Sequence, residues 1–165
     1  MNQKLIENWN NTVSEHDTIF HLGDFMFKKN WEEILSQLNG HIHLILGNHD
    51  CTTFKNKYRQ YFDSVQEQLT IKVEDIKLIL THFPLLCYHG STENESNIWN
   101  IHGHVHLCKN NNGNYERIKL TCPTQYDVGV DFNNYTPISF NNLKHIINTQ
   151  IKNNINQTYW INENL

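Results

Sequence analysis

Apolar positions along the chain follow two periods, one helical and one strand-like. Residues 2–13 set Leu5, Ile6, Trp9 and Val13 on one face, which predicts an amphipathic helix. Asp17 to Leu22 is a short, β-branched apolar run that stops at Gly23-Asp24, the pattern of a buried strand feeding a loop. Asn30 can cap a second helix with Glu33 completing a capping box; Trp31, Ile34, Leu35 and Leu38 keep helical spacing, and Gly40 ends it. Ile42 to Leu46 reads as a second buried strand, ending in Gly47-Asn48-His49-Asp50, and Phe54, Tyr58, Tyr61 and Phe62 then suit a helix.

Strand patterns dominate the second half. Leu69 to Val73 and Ile76 to Leu80 flank a Glu74-Asp75 turn, and the second run enters Thr81-His82-Phe83-Pro84. Ile98 to Ile101 leads into His102-Gly103-His104-Val105-His106 after a polar loop at 90–97. Strands are expected at Tyr115 to Leu120 and Tyr126 to Val130, a short helix at Asn141 to Ile147, and a polar tail over 148–165. Helices alternating with buried strands, followed by antiparallel-looking strands, predict an α/β start with an α+β finish around one core, a single domain over 1–165.

Composition narrows the function classes. The 165 residues carry a net charge of -4, which does not suit a binder of nucleic-acid backbones. No apolar run approaches the roughly 20 residues of a membrane span, and the start lacks a signal-peptide core, so a cytoplasmic protein is expected. The four cysteines form no Cys-x-x-Cys pair, and Arg59 and Arg117 are the only arginines. The 11 histidines matter because several close apolar runs.

Four buried strands end in loops rich in Asp, Asn or His: Gly23-Asp24, Gly47-Asn48-His49-Asp50, His82, and Gly103-His104-x-His106. Strand ends are where a sheet holds side chains on short loops. Carboxylate, amide and several imidazoles together suit borderline divalent ions, manganese, iron, zinc, nickel or cobalt, rather than an all-oxygen calcium or magnesium cage.

These blocks, in this order and each after a strand pattern, resemble the calcineurin-like metallophosphoesterase superfamily, most of all its small bacterial and phage members. The resemblance runs from the helix at Lys4 to the segments Val128-Gly129-Val130-Asp131 and Pro137-Ile138-Ser139. It implies a four-layer αββα sandwich and a metal-dependent phosphoesterase with two cations, manganese first among the candidates. It further implies that Asp24 bridges the cations, that Asn48, His82 and His104 hold one of them, and that His106 helps hold the other. His49 would protonate the leaving oxygen, oriented by Asp50. Two cations close together neutralise phosphoryl oxygens and activate a water, and an imidazole is matched to neutral pH.

One departure stands out. The family opens on a strand ending in Asp-x-His, and none of the seven aspartates here has a histidine two residues later. The expectation is therefore a fold lacking that central strand, with one cation site complete and the other reduced to Asp24 and His106. Gly23-Asp24 continues as Phe25-Met26-Phe27, without the Asp-Arg-Gly of protein serine/threonine phosphatases, which points to small-molecule or nucleotide phosphoesters. The rival reading is a non-catalytic protein of the same fold that keeps a metal or binds a phosphate-bearing partner.

Among the remaining candidates, His102 is expected to be structural, His41 and His43 solvent or core, and His21 a hydrogen-bonder behind the ligands. Tyr88 and His89 are read as pocket lining or ordinary surface loop.

Overall fold

The computed structural model describes residues 2–25, 31–50, 58–91, 97–105, 122–131 and 133–153. Two sheets face each other. The first runs β1 (Thr18–His21), β2 (His41–Ile45) and β3 (Ser64–Gln66), all parallel. The second runs β4 (Gln68–Val73), β5 (Ile76–Thr81), β6 (Ile98–His102) and β7 (Gln125–Asp127), antiparallel at β4–β5 and parallel beyond. Helices α1 (Asn2–Thr12), α2 (Trp31–Leu35) and α3 (Phe140–Asn153) accompany them. This is the mixed α/β class that the sequence pattern predicts.

Strand alternation divides the apolar residues between two clusters. Ile42 and Leu44 point to one side of β2, where Trp9 of α1, Leu35 of α2, Phe62 and Val65 cover them. Ile45 points to the other side and joins Leu22, Leu78, Leu80, Trp99, Ile101 and Tyr126 in the core shared by the sheets, to which α3 adds Leu143 and Ile147. β5 is apolar almost throughout because both of its faces are covered. Its register pairs Ile79 with Asn100, and Asn100 with Gln125, so a buried polar row lies on the face opposite Leu78 and Trp99.

Several boundaries differ from the sequence expectation. α3 continues to Asn153, through the first part of the segment read as a tail, because Gln150 is buried and donates to the Pro123 and Gln125 carbonyls. β3 was not foreseen: it is three residues long, too short for a period to show. At the C-terminal end of the helix expected around 54–62, a 3-10 turn spans Arg59–Tyr61; residues 51–57 lie outside the described residues, as do 115–120, where a strand was expected, and 154–165.

Candidate metal centre

The ends of β1, β2, β5 and β6 bring Asp24, Asn48, His82 and His104 together. His82 Nε2 lies 2.9 Å from Asn48 Oδ1, 3.1 Å from His104 Nδ1 and 3.4 Å from Asp24 Oδ2. Ligand atoms of Asp24, His82 and His104 all lie within 4.8 Å of one another. The other ring nitrogen of His82, Nδ1, is 2.7 Å from the Leu22 carbonyl and donates to it. With its proton there, Nε2 presents a lone pair to a space that an amide oxygen and a carboxylate also face. Such a gathering of acceptors needs a proton or a cation among them and suits a cation, and an imidazole fixed through a backbone carbonyl is how metal-bound histidines are held. The donor set, nitrogen with oxygen, fits a borderline divalent ion.

Backbone strain marks the same place. Asp24 and His104 have φ of 52° and 69°, a left-handed conformation that costs a non-glycine residue of order 1–3 kcal/mol. The glycines in the blocks are there for close approach. A Cβ on Gly23 would meet His82 Nδ1 and come within 2.7 Å of Gly47 Cα; one on Gly47 would run into the Asp24 carboxylate and amide. Three loops from two sheets thus interlock, with the His82 ring and the Asp24 carboxylate in the space that glycine leaves.

Asp50 holds two of the loops together. Its Oδ2 accepts from the Gly47 amide at 2.7 Å and the Asp24 amide at 2.8 Å, and its Oδ1 from the Phe25 amide at 3.1 Å. The carboxylate is engaged by backbone because the turn after β2 points it inward, where only 7% of the residue is exposed. It clamps the loop after β1 to the loop after β2. His49 is exposed, and its amide donates to Asp24 Oδ1 at 2.9 Å, so it stands beside the cluster. His106 lies outside the described residues.

The other histidines separate by environment. His102 is fully buried; its Nδ1 donates to the Gly103 carbonyl at 2.9 Å and its Nε2 has no partner among the described residues. Burial pushes its imidazole down to about 4, although the Gly103 carbonyl works the other way. His21 lies edge-on to Phe25, and its buried Nδ1 also has no partner among the described residues, so the hydrogen-bonding role expected of it is not seen there. Burial lowers it to about 4 against the opposing charges of Asp50 and Asp24. His41 is exposed and paired with Asp63, and His43 stacks on Phe20 and bonds Ser64.

The polar row under the site escaped sequence reasoning. Tyr88 is half-buried and belongs to it: its hydroxyl bonds Thr124 Oγ1 at 2.6 Å and Cys122 Sγ at 2.9 Å. Asn100, standing alone in an apolar strand, was the one signal that could have revealed this row. No described helix is long and apolar enough to cross a membrane.

Comparison with known proteins agrees with this geometry. The family model for the calcineurin-like phosphoesterase superfamily domain matches residues 1–121. An uncharacterized protein of Methanocaldococcus jannaschii is 34% identical over 151 residues, spanning 89% of this chain and 75% of its own length. The crystal structure of a protein of unknown function from Aquifex aeolicus is similar with a TM-score of 0.64 at 25% identity, covering 88% of this chain and 84% of that one.

Proposed function

Because the chain belongs to the calcineurin-like phosphoesterase superfamily, we propose that it hydrolyses phosphoesters of small molecules or nucleotides in the cytoplasm with a divalent metal. The observation that carries this reading is the convergence of Asn48 Oδ1, His104 Nδ1 and Asp24 Oδ2 on the one nitrogen of His82 not bonded to backbone. Those four residues hold the cation, manganese by preference, and Asp24 with His106 is the pair available to a second. When bound, the cation neutralises phosphoryl oxygens and activates water.

The chain's own residues do the rest. His82 is locked in one ring orientation by the Leu22 carbonyl, so the ligand geometry is set before substrate arrives. His49, exposed beside the cluster and tied by its amide to Asp24, gives its imidazole proton to the leaving oxygen. Asp50 keeps the two loops in register so that His49 and Asp24 stay on the same side of the phosphate. With two arginines in the whole chain, grip on the phosphate falls to the metal centre, which favours small substrates over phosphoproteins or nucleic acids.

The test is hydrolysis of bis(4-nitrophenyl) phosphate by the Mn-loaded protein, with metal content measured alongside. Turnover should vanish with chelator and fall about 100-fold in His49→Ala at unchanged metal content. Bound metal without turnover would instead favour the non-catalytic reading.

A further inference from the structure

Next to the cluster stands an aromatic ring that the reading above leaves unused. The Phe83 ring centroid is 4.4 Å from that of His104 and 4.8 Å from that of His82, at interplanar angles of 63° and 76°. Neither imidazole lies flat on it, and 49% of the residue is exposed. Leu86, three residues along the same loop, is 84% exposed.

The backbone that carries them is anything but loose. The Phe83 carbonyl accepts from Thr81 Oγ1 at 2.7 Å. The Leu85 amide donates to Asn100 Oδ1 at 3.0 Å, and its carbonyl accepts from Gln125 Nε2 at 2.7 Å. Tyr88 closes the loop on Thr124. Thr81, Asn100 and Gln125 are all buried. Burying three polar side chains to bolt down a loop is costly unless every group is matched, as these are. The result is a loop fixed from beneath that holds a phenyl ring out at the rim of the metal centre. A surface fixed beforehand loses little entropy when something binds to it.

We propose that Phe83 is a specificity residue that selects phosphoesters bearing a planar aromatic group directly at the phosphate. This rests on the phosphoester reading of the site. A phosphate at the cluster places its ester substituent within reach of this ring, and aromatic pairs gain from offset or edge-on packing beyond simple area burial. The ring abuts the ligand imidazoles themselves, which fits an aryl group joined to phosphorus through the ester oxygen alone better than one held off by an intervening sugar.

The test uses phosphonates, whose carbon–phosphorus bond resists hydrolysis, so that affinity is read whether or not the protein turns over. Calorimetric titration of the Mn-loaded protein should show phenylphosphonate binding about tenfold tighter than methylphosphonate and clearly tighter than cyclohexylphosphonate. Phe83→Ala should erase these differences, read as the phenyl-to-methyl affinity ratio within the variant so that any change common to all phosphonates cancels, and Phe83→Tyr should retain them. Equal binding of phenyl- and methylphosphonate to the wild type would overturn the role of Phe83 alone, as would a preference that survives Phe83→Ala. Phenyl and cyclohexyl groups binding alike would overturn the demand for planarity. A nucleoside phosphonate depending on Phe83 as strongly as phenylphosphonate would overturn the direct-attachment geometry. No binding of any phosphonate would overturn the phosphoester reading together with this inference.

Discussion

Replacing Asp50 with alanine removes one carboxylate and leaves three backbone amides, those of Gly47, Asp24 and Phe25, without their acceptor. Hydrogen bonds to a charged group contribute about 1.5–3 kcal/mol each, and an unsatisfied buried donor costs a similar amount. The amides are only partly buried, so water can recover some of the loss. The expected destabilisation is about 3–5 kcal/mol, a large share of the margin by which domains are stable. For a chain of this size that corresponds to a melting temperature lower by roughly 10 °C. Asp50→Asn keeps one acceptor oxygen but turns an N–H toward another N–H, so it should cost about 2 kcal/mol. Urea unfolding followed by tryptophan fluorescence measures both, and an unchanged m-value would show that the denatured state is not the cause. A loss below about 1 kcal/mol in Asp50→Ala would refute the clamp, because three charge-assisted bonds cannot be that cheap to lose.

Two further outcomes follow from the same geometry. Burial holds His21 and His102 near 4, against 6.5 for a free imidazole, so as pH falls from about 6.5 toward 4 the unfolded chain takes up protons that the folded chain refuses. Stability should therefore decline across that window and be flat above it. The His102 share is about 2 kcal/mol between pH 7 and pH 5, measured as the urea midpoint of metal-free protein against His102→Asn, and a pH-independent midpoint would contradict it. Gly47→Ala puts a methyl group into the Asp24 carboxylate, and should lower stability by about 1–3 kcal/mol and cation affinity at least tenfold, both read by titration; unaltered affinity would show that the two loops can part without harm.

Strand ends were the most legible part of this chain. Apolar runs stopping at Gly23-Asp24, at Gly47-Asn48-His49-Asp50 and at His82 are visible in one dimension, because a buried strand needs a continuous run and a loop needs glycine at close approach. The structure brings Asp24, Asn48, His82 and His104 into one place, as the family resemblance implied. The role of Asp50 was not legible, since a sequence does not tell whether a carboxylate meets an imidazole or the backbone amides of another loop. The position of Phe83 depends on Asn100 and Gln125, on the next two strands of the sheet, and the full length of α3 depends on the pairing of Gln150 with the carbonyls of Pro123 and Gln125. Such long-range polar partners leave no periodic trace. β3 failed for the opposite reason, being a short strand made only by its neighbour β2.

The central claim is that His82 anchors a cation site, and Mn(II) binding read by electron paramagnetic resonance tests it most directly. The wild-type protein should bind at least one ion per chain. His82→Ala should lose that ion, while His41→Ala, altering an exposed histidine at the opposite end of β2, should keep it. Binding that is absent in the wild type, or that survives His82→Ala undiminished, would contradict the account.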